Sequence, residues 1–192
     1  WMLLPLALLG GGLTALVRVG LIRATPIPSF TAAYVLVGWV MLPICTRWLG
    51  EAAPGVASSA PHAIAILTNS AQVLFLASPW VGVLVVVAVA LHSRTAAIWV
   101  ALASVLAWLT AWACGLPAEP IAMGYLGYNA MILAAALHAR QTSIVSAIGG
   151  VVASVLLSWL CREWGVIALS APFLAAAWLT MLLTRGRGPE GG

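Results

Sequence analysis

The chain has 192 residues, of which 64% are hydrophobic and only 6% charged, and its mean hydropathy is +1.11. A soluble domain carries about 25% charged residues, so this composition excludes a water-soluble protein and makes the lipid bilayer the solvent for most of the chain. The net charge of +4 comes from arginine and glutamate alone, without lysine or aspartate. The arginines stand at the ends of apolar runs and form no basic stripe, which excludes a nucleic-acid partner.

Taken in chain order, apolar runs occupy residues 2–19, 27–46, 63–77, 79–91, 96–114, 121–137, 144–161 and 166–183. No basic segment precedes the opening run, so it does not read as a signal peptide, and the chain reads as a fragment or processed piece. A crossing needs about 20 residues. Runs 63–77 and 79–91 are shorter and meet at Ser78-Pro79, and run 121–137 follows a Pro- and Gly-rich stretch. Such runs suggest re-entrant or broken helices, the alternative being one ordinary helix bent at Pro79. Broken helices at membrane depth point to a solute pathway.

Laying residue n on residue n+139 pairs Arg23 with Arg162, Thr31 with Ser170, Tyr34 with Phe173 and Trp39 with Trp178. In each copy a Gly-containing run ends at an arginine, a loop follows, and a hydroxyl residue opens a helix. This order of features indicates an internal repeat. The expected organisation is two helices closing a first repeat over 1–50, an inter-repeat loop over 51–60, a second repeat over 61–184 with its re-entrant helix near 61–78, and a polar, disordered tail over 185–192. The fold class is an all-α membrane protein, an inverted-repeat helical bundle.

Coupled carriers usually hold a carboxylate at membrane depth. Here Glu51, Glu119, Glu163 and Glu190 all fall outside the interiors of the runs, which favours passive conduction of a neutral solute. Catalysis lacks an organised nucleophile and base. His62, His92 and His138 are too scattered for a metal site and read as interfacial polar residues, while Cys45, Cys114 and Cys161 read as small core residues. No enzyme, metal or cofactor role is expected. What remains inside the runs is neutral and hydrogen-bonding: Thr31, Asn69, Gln72, Ser78, Tyr128, Asn129 and Ser170.

The segment Gln72-Val73-Leu74-Phe75-Leu76-Ala77-Ser78-Pro79-Trp80-Val81-Gly82 resembles the pore-helix signature of the urea transporter family, Q/E-V-x-F-x-x-N-P-x-x-G. Gly124-Tyr125-Leu126-Gly127-Tyr128-Asn129 is similar to its second signature, and Ser170-Ala171-Pro172-Phe173 to the Thr-x-Pro-Phe that opens the last helix of each half. The departures are Ser78 in place of Asn, the order Tyr125-Leu126, and Ala33 where the first-half motif has Pro; they bear on selectivity more than on fold.

The resemblance implies inverted halves, a re-entrant pore helix in each, and a homotrimer with one pore per protomer. It implies Gln72 as acceptor at a slot walled by Val73, Phe75, Tyr128 and Ile132, with Thr31 and Ser170 as hydroxyls near the pore centre. The solute would be urea or a similar small neutral amide, which is planar with several N–H donors and one carbonyl, and so suits a flat slot with a line of oxygen acceptors. The expected activity is passive conduction in a bacterial inner membrane. Other readings are a channel for another small neutral solute, a non-conducting structural or assembly subunit of the same fold, and, least favoured, a membrane enzyme using Cys114 or a histidine.

Overall fold

The computed structural model describes residues 3–24, 28–49 and 64–184. The expected loop 51–60, the start of the second repeat, His62 and the tail lie outside the described residues. Among those described, all regular structure is helical: α1 Leu3–Ala24, α2 Ala32–Leu49, α3 Ala65–Ala71 continued by a tighter turn Gln72–Leu74, α4 Pro79–His92, α5 Arg94–Ala113, α6 Ala118–Ala122, α7 Tyr128–Ala139, α8 Ile144–Glu163 and α9 Ala171–Thr184. The protein is therefore all-α, as its composition requires in a solvent that cannot satisfy an open strand edge.

Helices α5 and α8 are each 20 residues long, with mean hydropathies of 1.8 and 2.2. At about 1.5 Å per residue each is long enough to cross the hydrocarbon core. Ala65–Leu74 and Pro79–His92 are apolar enough to count as one span but meet at 74°, so a broken helix replaces the gently kinked one. Phe75 ends the first segment in the left-handed conformation at φ 58, and Ser78 is extended with Pro79 following as the first residue of α4. Proline suits that position because its missing N–H has no helical partner there.

The seven residues of α3 are too few to hold a helix alone, and buried side chains tie it to its surroundings. Thr68 donates to the Ala122 carbonyl at 2.8 Å, and Asn69 donates to the Ser104 hydroxyl at 3.0 Å. Ser104 in turn donates to the Ile66 carbonyl at 2.6 Å. A Cβ on Gly82 would strike the Leu67 backbone, so glycine is what lets α4 cross α3 closely. Gly124 combines a φ of +76 with a similar approach to the Thr68 backbone, a conformation that L side chains rarely adopt.

Small side chains bring the long helices together, as is usual where lipid offers no hydrophobic drive for association. Ala103, Ala107 and Ala111 of α5 pack with Ala130 and Ala134 of α7 and with Val151 and Val155 of α8. A second cluster joins Phe173, Leu174 and Ala177 of α9 to Leu133 and Leu137 of α7 and to Ala32 and Val35 of α2.

The shift of 139 residues has a structural counterpart. Helices α1 and α8 end at Ala24 and Glu163, and α2 and α9 begin at Ala32 and Ala171. The residues Phe30 and Leu169, which precede the hydroxyl residues, are both left-handed, at φ 39 and 42. Trp39 donates its indole N–H to the Ile167 carbonyl at 2.7 Å, and Trp178 donates to the Pro28 carbonyl at 3.0 Å. Donors and acceptors exchange under the same shift. Burial does not follow it: Ala147, Gly150, Val151, Ser154, Val155 and Ser158 are buried on α8, whereas their counterparts Leu8, Gly11, Gly12, Ala15, Leu16 and Val19 are exposed on α1.

The run 121–137 is broken, in line with its Pro- and Gly-rich approach: 123–127 turns before α7 starts at Tyr128. One expectation needs correction. The cysteines do not sit in the core: Cys114 is exposed, and Cys45 and Cys161 are half-buried, positions that lipid contact makes acceptable for a small apolar side chain. His138 stacks on Trp99 with ring centroids 5.5 Å apart.

Candidate channel site

A cavity of about 660 Å³ is lined by Gln72, Phe75, Tyr125, Tyr128, Ser158 and Arg162 among other residues. Its walls come from the end of the broken helix, the turn before α7, the far end of α8 and the irregular segment before α9. Two of these are placed by local features of the backbone: the break turns the chain at Phe75, and glycine at position 124 lets the α6–α7 turn lie against α3.

Gln72 is 5% exposed and donates its amide nitrogen to the Met123 carbonyl at 2.8 Å. A carbonyl can only accept, so this contact assigns the two ends of the amide. The nitrogen is anchored, and the oxygen is left as the acceptor of the group. Phe75, beyond the break, is 65% exposed and contributes to the cavity wall. Val73, next to Gln72, is 37% exposed and does not line the cavity.

Tyr128 opens α7 at the cavity wall, and its hydroxyl donates to the Leu169 carbonyl. Asn129, the next residue, donates to the same carbonyl at 3.1 Å. Ile132, one turn along, packs against the second core cluster rather than lining the cavity. Thr31 and Ser170 meet away from that wall, where the Ser170 hydroxyl donates to that of Thr31 at 2.8 Å. The structure thus brings Gln72, Phe75 and Tyr128 to one cavity and Thr31 and Ser170 to each other. Val73 and Ile132 join neither group.

Among the described residues of the cavity wall the acceptors are neutral, and Arg162 is the one charged side chain. It pairs with Glu119 at 3.2 Å, with the two side chains 46% and 53% exposed. No group of three or more potential metal ligands occurs among the described residues. The wall carries the rings of Phe75, Tyr125 and Tyr128 beside the Gln72 amide, and among the described residues no carboxylate lines it.

The sequence marks Arg162 without a site role and does not single out Ser158, because hydropathy and signature spacing give no sign of which residues ring a cavity. The repeat could have pointed to Arg162, since it ends its apolar run as Arg23 does. No curated protein matches the chain. The family model described as urea transporter matches residues 1–185, nearly the whole chain, and the protein belongs to the urea transporter family.

Proposed function

We propose that this protein is a passive channel for urea in an inner bacterial membrane, with the Gln72 amide oxygen as the acceptor that draws urea into a slot walled by Phe75 and Tyr128. The observation that carries this reading is the Gln72 to Met123 hydrogen bond, because it anchors the amide nitrogen on the protein and leaves the oxygen for solute N–H groups. Urea offers four such N–H groups and needs a flat passage. A cation entering the same slot loses hydration without a countercharge, which disfavours it strongly. Family membership supports transport rather than catalysis, and the apolar helices α5 and α8 support an integral membrane protein.

The organisation we propose is that 1–50 ends one repeat and 61–184 forms the other, with Thr31 and Ser170 as matched pore hydroxyls. The reciprocal tryptophan bonds and the matched left-handed residues support it. So does the exposed face of α1, whose counterpart on α8 is covered by α5 and α7. Helices equivalent to α5 and α7 would cover it. The solute-facing set we propose is Gln72, Phe75, Tyr128, Thr31 and Ser170, without Val73 and Ile132, which stand off the cavity wall, and the working assembly is a homotrimer.

The test is stopped-flow light scattering of proteoliposomes under an inward urea gradient, beside empty liposomes, for the intact protein and for Gln72→Ala. Fast saturable entry that falls about fivefold or more in the variant, the scale of one hydrogen bond of roughly 1 kcal/mol, is the expected result. Urea entry no faster than in empty liposomes, from protein that elutes as a single oligomer, overturns the channel reading. Wild-type flux matched by Gln72→Ala removes Gln72 from the site.

A further inference from the structure

Leu169 stands immediately before Ser170 with φ 42, a left-handed conformation unfavourable for a branched side chain. Such strain persists only where the surroundings over-determine it. Here the neighbouring carbonyls are tied in turn: that of Ile167 by Trp39, and that of Ala168 by the Ala171 N–H at 2.9 Å. The Leu169 carbonyl alone receives two side-chain donors, the Tyr128 hydroxyl and the Asn129 amide.

The orientation of Asn129 is determined by its partners. Its nitrogen lies 3.1 Å from the Leu169 carbonyl and 3.4 Å from the Ser158 hydroxyl. Ser158 has already given its proton to the Ser154 carbonyl at 2.8 Å, so both groups near the nitrogen accept. The amide oxygen then faces the other way, buried and without a hydrogen-bond partner. A residue kept only for packing would not leave an acceptor orphaned in the interior. Asn129 is also absent from the wall of the cavity described above, so contact with solute there does not account for it, and the donor half is what the site uses.

We infer that Tyr128 and Asn129 form a two-donor clamp on the Leu169 carbonyl, which holds the strained backbone and so sets where the Ser170 hydroxyl stands opposite Thr31. The inference rests on the channel reading and adds to it the residues that determine discrimination among amides. Asn129 is a positioning residue, acting on solute only through Leu169 and Ser170. Strain of this kind is comparable to the net worth of one or two hydrogen bonds. Either donor alone therefore keeps most of the geometry, while loss of both lets Leu169 relax and displaces Ser170.

The experiment measures the urea to methylurea permeability ratio in proteoliposomes for the wild type, Tyr128→Phe, Asn129→Ala and the double variant. Each single change is expected to alter the ratio by about twofold and the pair by about tenfold, a coupling that independent sites do not show. A pair effect equal to the product of the singles overturns the clamp. Should the double variant fail to assemble, Tyr128→Phe is compared in the wild-type and Ser170→Ala backgrounds. The clamp predicts that its effect on the ratio disappears when Ser170 is absent, and an undiminished effect overturns it. Absence of wild-type urea entry sinks the channel reading itself, so the two failures are distinguishable.

Discussion

The hydroxyl of Ser170 donates to that of Thr31 at 2.8 Å, joining residues 139 positions apart, the same separation that relates the two halves of the pattern. Residues related by a twofold shift touch each other only near its axis, so this pair marks where the two helix starts, of α2 and α9, converge. Neither hydroxyl caps its own helix. One proton of the pair is used between them, and the Thr31 proton remains to be donated.

Thr31→Val removes the acceptor of Ser170 and the free donor together, whereas Ser170→Ala removes only the donor to Thr31. Both are expected to lower urea flux by several-fold, with Thr31→Val the larger, on the scale of about 1 kcal/mol per hydrogen bond. Stopped-flow urea entry at matched protein density measures this. Equal flux in all three proteins would show that the pair lies off the solute's path.

Trp39→Phe and Trp178→Phe each delete one indole N–H and leave the Ile167 or Pro28 carbonyl without that donor. Trp39 is 41% exposed, which in water would make its bond cheap to lose. Lipid offers no replacement donor, so the two losses are expected to be similar, about 1 kcal/mol each. They should add within about 0.5 kcal/mol, since the bonds share no partner. Equilibrium unfolding in bilayer-like micelles checks both statements.

The class of fold was legible from composition alone, because an excess of apolar residues with so few charges leaves lipid as the solvent and helices as the structure. The shift of 139 residues was legible in Thr31, Ser170, Trp39 and Trp178, and the broken helix in Ser78-Pro79. That the run 121–137 is broken was legible in its Pro- and Gly-rich approach, but the place of the turn at 123–127 was not, because Met123, Gly124 and Leu126 are as apolar as a membrane helix and only packing shows that protein, not lipid, covers them. The partners of Gln72 and Asn129 were equally out of reach. Met123 and Leu169 act through their carbonyls, which every residue possesses, so side-chain identity carries no trace of the role.

The Arg162–Glu119 pair joins α8 to the short helix α6 beside the cavity, at 3.2 Å and with both side chains about half exposed. Exposed pairs contribute roughly 0–1 kcal/mol, because solvent screens them and two long side chains lose freedom. Glu119→Gln should therefore change stability by less than about 0.5 kcal/mol in unfolding titrations at moderate salt. A larger loss would mean that the bridge holds α6, and through Met123 the Gln72 amide, in place.

Two glycines test the close helix crossings against each other. A methyl on Gly82 meets the Leu67 carbonyl, a backbone group that cannot swing aside, so Gly82→Ala must open the angle between α3 and α4. Overpacking of this kind costs about 1–3 kcal/mol and more where backbone must move, and the displaced α3 carries Gln72 with it. Gly149 lies mid-helix in α8 with nothing within 4 Å of the same methyl. There alanine improves helix propensity by up to about 1 kcal/mol, so Gly149→Ala should be neutral or stabilising and leave urea entry unchanged. Thermal unfolding of the detergent-solubilised protein, read beside flux, separates the two. If Gly82→Ala proved as well tolerated as Gly149→Ala, the tight crossing of α3 and α4 would not be what holds the broken helix at its angle.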